Sequence, residues 1–355
     1  MEKKESNRNI IRVSKKNEPE LNVFYSRAYS ENHVLNNRVH NDWQFLENPY
    51  NNFPYKSIII IKDDHIRSHL GIQQVKMKLF DKEIDVAWHM SFFTLESDRG
   101  KGFGEKLILH EKEKLDMTLV LSGSEGTKII YEKNNGVYLG NLNRYIAILD
   151  KKRVKEFLKK DILLEEAIES DVKYDFTREL SLDESYETFW NKVKDRYSIT
   201  VQRDRKYLLW RFIQHPLIDY HFMILKEDYK IVGYTVIHFE VNNDEIRAAR
   251  VVDLIVLEKF EEKILKAIIT YCKPNVDFID YYSTGNFHQH SLLSLNFFLE
   301  NDKVKFPAVF RPVDNSRSSE INFFFRLNKN IDEEKIYQIK NWYIVKGDSD
   351  QDRIN

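Results

Sequence analysis

The chain has 355 residues, more than one hydrophobic core usually holds, so its length predicts two domains. Its 55 basic and 56 acidic residues nearly cancel, which argues against a surface that binds nucleic acid or another polyanion. Because the apolar runs are too short to span a bilayer and no secretory signal opens the sequence, we expect a cytoplasmic protein without membrane insertion.

Two stretches of the sequence show the same order of features. Each begins with W-x-F-x-x-polar-P, at 43–49 and at 210–216, and the proline is expected to stop a helix. Strand-like segments and a helical pattern follow, with matching separations between a glycine and a strand end in both halves. We therefore predict two copies of one α/β unit, although two unrelated α/β domains would also show such strands and helices.

The repeat predicts where the chain divides. We expect a flexible N terminus (1–20), a first unit (21–150), a charged helical linker (151–174), a second unit (175–345) and an acidic tail (346–355).

A glycine-rich loop lies between a strand-like run at 86–94 and an amphipathic helical pattern at 105–115; it reads Arg99-Gly100-Lys101-Gly102-Phe103-Gly104. Unpaired amides and the dipole at a helix N terminus attract phosphate, and glycines let the main chain approach it. A tight turn with packing glycines is the alternative. Neither the Walker pattern nor the dinucleotide fingerprint G-x-G-x-x-G fits these residues.

This loop resembles the signature R/Q-x-x-G-x-G/A of the GNAT superfamily of acyl-CoA-dependent N-acyltransferases. The segment from Tyr131 to Val137 is similar to a second family element, Y-E-K-x-G-F, with one residue inserted before Gly136 and Val137 in place of Phe. The resemblance implies an α/β (α+β) fold of two tandem GNAT-like units, each a mixed, largely antiparallel twisted sheet flanked by helices.

The resemblance also implies the site residues. The coenzyme pyrophosphate would bind the amides of 99–104, and the pantetheine arm would pair with the backbone of Phe92, Phe93 and Thr94. Ser124 stands where many relatives carry an Asn that contacts pantetheine, and its hydroxyl can still form a hydrogen bond. Tyr131 would be the general acid that protonates the departing thiolate.

The general base stays open at this stage. The family's base positions hold Ser91 and Leu119, neither of which accepts a proton from an amine. His89 on the same strand is one candidate, because its ordinary pKa suits the task, and a strand residue with a satisfied ring is the alternative. Asp253 in the second unit is the other candidate, with a structural role as its alternative.

The second unit is predicted not to bind the coenzyme. Residues 261–266 fall opposite the loop, contain no glycine, and begin with two glutamates that would repel phosphates. We expect it to contribute to the acceptor site through polar residues that include Asp253, Tyr281, Tyr282, His288 and His290. His288-Gln-His290 lacks a third ligand, and Cys272 is the only cysteine, so no metal is expected and the cysteine is interpreted as a core residue.

The C-terminal segment combines two signals. Its composition predicts a strand followed by a solvated acidic end, but it also resembles the W-Y-x-x-x-G-D-S-D-x-D ending of tandem GNAT-like proteins associated with bacterial surface polysaccharide synthesis. The segment from Arg203 to Phe212 matches the same group. The resemblance implies transfer of an acetyl or other acyl group from acyl-CoA to a primary amine, on an amino sugar or a sugar nucleotide.

Two other functions remain open from the sequence. One is a cell-wall aminoacyl transferase that uses charged transfer RNA, although the basic coiled-coil arm of such enzymes is not visible. The other is an acyl-CoA-binding or scaffold protein without catalysis, which the missing base leaves open. The acyl chain, the acceptor and the oligomeric state are not determined.

Overall fold

The computed structural model of the chain describes a set of segments that together cover most of the sequence: residues 10–29, 31, 33–51, 57–110, 115–159, 165–241, 246–301, 304–307, 309–310, 313–314, 319–331 and 333–352.

The strands of these segments are numbered in chain order: β1 (Ile10–Arg12), β2 (Ser57–Lys62), β3 (His65–Leu79), β4 (Lys82–Thr94), β5 (Met117–Leu121), β6 (Gly136–Asn141), β7 (Asn143–Ile148), β8 (Asp175–Arg178), β9 (Ile199–Val201), β10 (His221–Glu227), β11 (Lys230–Val241), β12 (Arg247–Val256), β13 (Phe278–Ser283), β14 (Phe298–Leu299), β15 (Val309–Phe310), β16 (Val313–Asp314), β17 (Asn322–Leu327) and β18 (Trp342–Tyr343).

The helices are α1 (Glu18–Ala28), α2 (Arg38–Phe45), α3 (Phe103–His110), α4 (Glu125–Lys133), α5 (Lys151–Leu158), α6 (Glu184–Val193), α7 (Arg205–Leu208), α8 (Glu261–Cys272) and α9 (Gln289–Ser294), with a π-helical turn at Leu209–Ile213 after α7. In this described part of the chain, no helix is long and apolar enough to cross a membrane, and no three metal-binding side chains converge.

The described residues group into two compact units. Unit 1 comprises the residues up to 140 together with 322–337, and unit 2 comprises 141–321 together with 338–352. Each unit therefore contains a segment from the other half of the sequence. The sheet of unit 1 includes β17 from near the C terminus, and the sheet of unit 2 includes β7, which follows β6 directly in the chain.

The sheet of unit 1 has the strand order β1-β2-β3-β4-β5-β17-β6. Neighbours are antiparallel from β1 to β4 and between β5 and β17, whereas β4 and β5 run parallel because α3 connects them. The isoleucine run of β2 favours a buried strand, and it packs with residues of α3, α4 and β17 in a core that includes Ile58, Ile60, Leu70, Ala87, Leu107, Ile108, Tyr131 and Phe324.

The sheet of unit 2 has the order β14-β7-β13-β12-β11-β10-β8. Here β12 and β13 are the parallel pair, and α8 connects them, as α3 connects β4 and β5 in unit 1. The expected mixed, largely antiparallel sheets flanked by helices are confirmed in both units. One core cluster of unit 2 consists of Ile146, Ile148, Val154, Ile246, Ala248, Phe278 and Phe306.

Three parts of the expected division differ from the structure. Part of the expected flexible N terminus forms secondary structure: Ile10–Arg12 pairs with β2, and α1 begins at Glu18, while residues 1–9 lie outside the described part. The expected linker begins with α5, whose Val154 is fully buried in the core of unit 2; residues 160–164 again lie outside. The C-terminal segment is buried, as described below.

Candidate functional site

The strands β4 and β5 pair over a short distance only. Val86, Ala87 and Trp88 pair with Met117, Thr118 and Leu119, and in the described residues this ladder ends there. β4 continues to Thr94 along β3, and β5 continues to Leu121 along β17. The edge of β4 beyond Trp88 therefore carries backbone groups that an extended ligand could pair with.

A β-bulge lies in this part of β4. His69 pairs with Phe93 and Gly71 pairs with Met90, so two residues of β4 lie opposite Leu70, and Ser91 has a φ of 48°. Nδ1 of His69 lies 2.9 Å from the carbonyl oxygen of Ser91, and its Nε2 lies 2.9 Å from the phenol of Tyr25. Burial lowers the pKa of His69 to about 4, so the ring is neutral as it holds the bulge.

The glycine-rich loop follows β4 through a 3-10 turn at Glu96–Asp98. Gly100 and Gly102 have φ angles of 78° and 76°, and a Cβ added at either one would meet no atom within 4 Å. Backbone conformation, and not lack of space, therefore requires glycine at these two positions. Gly104 differs, because a Cβ there would lie 2.5 Å from the ring of Phe92.

The first turn of α3 supplies free amides beside these glycines. The amide of Lys106 donates to the carbonyl of Gly102, so the amides of Phe103, Gly104 and Glu105 have no acceptor within the helix. They are the N-terminal donors of an eight-residue helix that begins in a solvent-open glycine turn. This arrangement favours an anion such as a phosphate.

Two basic side chains of the loop contact acidic residues. Lys101 Nζ lies 2.9 Å from a carboxylate oxygen of Asp98, and Arg67 lies 3.7 Å from the other. The hydrogen bond from Lys101 lowers the pKa of the buried Asp98 carboxyl. Arg99 is more than half exposed, lies over the ring of Phe93 and contacts Glu96 at 3.4 Å. Asp98 therefore fixes the loop, and Arg99 remains accessible.

The two catalytic candidates of the first unit meet directly. The phenol oxygen of Tyr131 on α4 lies 2.7 Å from Nδ1 of His89 on β4, and both side chains are buried. Burial raises the pKa of Tyr131, whereas Arg326 and Thr118 act in the opposite direction. Burial, assisted by Arg326, lowers the pKa of His89 to about 3. At neutral pH the pair is thus an uncharged phenol and an uncharged imidazole.

The second sequence element has a structural explanation. α4 ends at Lys133, Asn135 has a φ of 61°, and a Cβ added at Gly136 would lie 2.7 Å from the carbonyl oxygen of Tyr131. The inserted residue before the glycine is accommodated by this left-handed turn. Gly136 thus allows the chain to pass closely over the end of the helix that carries the phenol.

Ser124 caps α4. Its hydroxyl accepts a hydrogen bond from the amide of Thr127 at 3.2 Å, which satisfies one of the free donors at that helix end. This role accounts for a Ser at the position. Thr94 has its hydroxyl 2.8 Å from that of Ser68, so its side chain is turned toward β3.

Asp253 in unit 2 is buried in an ionic network. Nε of Arg203 lies 3.2 and 3.1 Å from its two carboxylate oxygens, and the phenol of Tyr234 donates to one of them at 2.8 Å. The two terminal nitrogens of Arg203, Nη2 and Nη1, donate to Asp348 and to Thr200. Because its acceptor positions are occupied, we assign Asp253 a structural role and not that of a general base.

Glu261 and His288 also belong to a buried network of unit 2. The Glu261 carboxylate accepts from Ser291 at 2.7 Å, contacts Nδ1 of His288 at 2.8 Å and pairs with Arg196. These hydrogen bonds, led by that of His288, outweigh burial and lower the pKa of Glu261 to about 2. His290 is exposed. The acidic residue opposite the glycine loop thus stabilises the start of α8 in unit 2.

The expectation of a solvated acidic tail is wrong. Asp348 and Asp352 are buried: Asp348 accepts from Arg203, and Asp352 accepts from the phenol of Tyr220 at 2.8 Å and contacts His238 at 3.1 Å. Composition missed this because each acid has a partner distant in sequence. The W-Y-x-x-x-G-D-S-D-x-D pattern was the signal: its first and third acids and Gly347 are buried, whereas Asp350 is half-buried.

Sequence reasoning missed three further residues of unit 1. Tyr25 and His69 hold the bulge of β4, and Arg326 on β17 is buried beside Tyr131 and His89. No short motif marks them. Arg326 comes from a segment about two hundred positions beyond β5, so only the strand order brings it into this unit.

Comparison with known proteins identifies the fold. No protein-family model matches the sequence, and no curated protein matches it. A GCN5-related N-acetyltransferase from Anabaena variabilis ATCC 29413 is similar in structure with a TM-score of 0.63 and 12% sequence identity, over 90% of this chain and 72% of that chain. A protein of unknown function from Enterococcus faecalis V583, a probable N-acyltransferase, is similar with a TM-score of 0.62 and 10% sequence identity, over 90% of this chain and 72% of that chain.

N-myristoyltransferase of Saccharomyces cerevisiae, solved with bound myristoyl-CoA, is similar with a TM-score of 0.57 and 11% identity, over 91% of this chain and 84% of that chain. At these identities the comparisons establish the fold. The chain has the GNAT fold, and its two sheets are consistent with the tandem arrangement that the sequence implied.

Proposed function

We propose that this protein is an N-acyltransferase that moves an acyl group from acyl-CoA to a primary amine at a site in unit 1. One observation carries the proposal. The glycine turn that begins α3 comes after the point where β4 stops pairing with β5, and the buried pair of His89 on β4 and Tyr131 on α4 belongs to the same unit. The GNAT fold supports this class of reaction, because the similar structures include N-acetyltransferases and an N-myristoyltransferase.

The coenzyme would bind along β4. Its pyrophosphate would accept hydrogen bonds from the amides of Phe103 and Gly104 at the start of α3, and Arg99 is accessible to add charge. Within the expected loop 99–104, the amides of Arg99 and Lys101 already donate to the carbonyls of Glu96 and Asp98. Its pantetheine arm would pair with the backbone of Phe92, Phe93 and Thr94, where β4 no longer pairs with β5. The myristoyl-CoA in the yeast structure supports an acyl-CoA donor for this fold.

The chemistry would be a direct acyl transfer. The neutral amine attacks the thioester carbonyl, the C–N bond forms, and the tetrahedral intermediate expels the thiolate of the coenzyme. Backbone amides near Phe93 and Thr94 would stabilise the oxyanion. Tyr131 would give its proton to the departing sulfur, and because its pKa is raised the proton is present over the whole physiological pH range.

His89 would position this phenol and would not act as the base. A ring with a pKa of about 3 is a weak acceptor of a proton from an ammonium group. When its Nδ1 carries the hydrogen, the ring donates to the phenol oxygen and leaves the phenolic proton free for the sulfur. The same donation stabilises the phenolate that remains after the proton is transferred. That phenolate would then take the proton that the attacking nitrogen loses as the amide forms, which regenerates the phenol.

The acceptor and the setting follow from the sequence resemblance. The C-terminal pattern and the segment from Arg203 to Phe212 support an amino sugar or a sugar nucleotide of bacterial surface polysaccharide synthesis, made in the cytoplasm. In the structure these two segments form one buried network through Arg203 and Asp348. Their role in unit 2 is therefore to hold its fold, with any contribution to the acceptor site made through that fold.

An amine panel tests the proposal. The purified protein is incubated with acetyl-CoA and longer acyl-CoAs and with amino sugars, sugar nucleotides and simple amines, and release of free coenzyme thiol is measured. We expect amine-dependent thiol release that the Tyr131→Phe variant reduces. Tight coenzyme binding without release for any amine would favour a binding protein over an enzyme.

A further inference from the structure

Arg326 is a buried cation without a counter-ion in the part of the chain that the structure describes. The side chain is 1% exposed, and its one hydrogen bond runs from Nη2 to the carbonyl of Ile108 at 3.2 Å. Its Nε and Nη1 are buried and have no hydrogen-bond partner in the described segments. Burial lowers the pKa of Arg326, and the nearby phenol of Tyr131 is the group that opposes this shift.

The side chain faces the proposed catalytic pair. Arg326 and Phe324 lie two residues apart on β17 and so point to the same face of the sheet. Phe324 packs against Tyr131 with ring centroids 6.5 Å apart, and Arg326 contacts α3, so α3 and α4 cover this face. Arg326 lies opposite Thr118, which in turn lies opposite Ala87, two residues before His89.

In the part of the chain described, a nitrogen of His89, the other member of the catalytic pair, lacks a partner as well. Nε2 of His89 is also buried, and no described residue forms a hydrogen bond with it. Among the described residues, the unpartnered atoms of these two side chains are thus two guanidinium nitrogens and one imidazole nitrogen, and both side chains lie next to Tyr131. Buried polar groups in folded proteins are nearly always satisfied, and a buried charge is normally paired. A ligand that carries an acceptor with two oxygens would satisfy the guanidinium.

We propose that Arg326 forms a carboxylate subsite at the acyl-transfer centre, so that one of the two substrates carries a carboxylate. The proposal rests on the proposed function and narrows it. The carboxylate belongs either to the acyl group, as in a dicarboxylic acyl-CoA, or to the amine acceptor. The guanidinium binds it with charge-assisted N–H···O bonds from Nε or Nη1, the nitrogens that have no partner among the described residues.

Matched ligands test the subsite. Butyryl-CoA and succinyl-CoA have acyl chains of equal length and differ in the terminal carboxylate. Butylamine and 4-aminobutanoate differ in the same way as acceptors. We expect one of the two carboxylate ligands to be preferred by about tenfold or more in Kd or KM, since a site with a buried donor rejects an analogue that lacks the acceptor. Arg326→Met should remove the preference, and Lys329→Met, at an exposed position beyond β17, should keep it.

The ligand pair that shows the carboxylate preference tells whether the acyl group or the amine acceptor carries the carboxylate. A preference for succinyl-CoA that Arg326→Met removes assigns the carboxylate to the acyl group. A preference for 4-aminobutanoate that the same variant removes assigns it to the acceptor. Equal affinities in both pairs, or a preference that the variant retains, would overturn the subsite while leaving acyl transfer intact.

Thermal unfolding gives an independent readout. Because Arg326 is a buried charge without a counter-ion among the described residues, Arg326→Met should keep or raise the Tm. Succinate or glutarate at millimolar concentration should raise the Tm of the unchanged protein but not of the variant. A lower Tm for the variant and no response to dicarboxylates would show a purely structural arginine. This arm stands even if no acyl-CoA binds, so failure of the proposed function and failure of the subsite are distinguishable.

Discussion

The phenol oxygen of Tyr131 lies 2.7 Å from Nδ1 of His89, inside unit 1 and among side chains that exclude water from both groups. The sequence suggested these residues for two separate tasks, general acid and general base. Because they are in contact, we propose that they act together: the phenol carries the proton, and the neutral imidazole orients the phenol. The first two predictions follow from this contact.

Replacing Tyr131 with Phe should slow transfer while the coenzyme still binds. The change removes the proton donor and leaves the ring in place, so we expect kcat to fall by about 10²- to 10⁴-fold with an unchanged Kd for acetyl-CoA. Steady-state kinetics and calorimetric titration measure the two quantities. Tyr229→Phe, at a fully solvent-exposed tyrosine, is the control; equal rates for both variants would exclude Tyr131 as the acid.

The pH dependence of His89 should appear in stability and not in catalysis. Its folded pKa of about 3 lies below the unfolded value of 6.5, so between these values the unfolded chain binds more protons and stability decreases as the pH falls. The slope contributed by one such ring is at most about 1.4 kcal/mol per pH unit. In His89→Asn, the slope of the unfolding free energy against pH between about 3 and 6.5 should be smaller by up to that amount.

The same variant tests the positioning role. Asn can still donate a hydrogen bond to the phenol, so kcat should fall by roughly tenfold and not vanish. The kcat profile of the unchanged protein should show no inflection near pH 6.5. An inflection there that disappears in His89→Asn would mean that the imidazole titrates as the base.

Asp253→Asn should reduce stability and not the chemical step. The carboxylate offsets the buried charge of Arg203, so its loss is expected to cost about 1–3 kcal/mol of unfolding free energy. Chemical denaturation and kcat per folded molecule give the two readings, with exposed Asp228→Asn as the control. Normal stability with greatly reduced kcat would instead restore Asp253 as a catalytic residue.

Glu261 should make unit 2 sensitive to acid. Its folded pKa of about 2 lies below the usual value of 4.5, so its stabilising contribution is full above pH 4.5 and is lost as the pH falls toward 2. Glu261→Gln should therefore lower the Tm at pH 7, and the gap to the unchanged protein should close in acid. Glu262→Gln, the next residue on α8, should show no such gap.

Local patterns predicted the elements well. The glycine turn and the helix after it follow from spacing and periodicity, and the mixed sheets follow from the family resemblance. Gly136 allows the close passage over the end of α4 at the glycine of the second element. What the sequence could not supply is long-range pairing. The placement of β17 beside β5, the contact of Tyr131 with His89 and the burial of Asp348 against Arg203 each join positions far apart in the chain.

The N and C termini show the same limit. Charged composition predicted a flexible start and a solvated end, because isolated charges favour water. In the structure, Ile10–Arg12 extends a sheet, and the C-terminal acids are matched by buried arginine, tyrosine and histidine side chains. From composition alone a charged residue is expected to be exposed, because burying a charge is costly. The partners that offset this cost lie far away in the sequence, so composition does not reveal them.

The central claim is that the turn at Gly100 and Gly102 binds the coenzyme. Isothermal titration with acetyl-CoA tests it on the unchanged protein and on Gly102→Glu, where a carboxylate would occupy the phosphate position; Gly126→Ala, in the first turn of α4, is the control. We expect saturable binding by the unchanged protein and the control, and none by folded Gly102→Glu. Absence of binding to the unchanged protein, or equal binding by Gly102→Glu, would contradict the account.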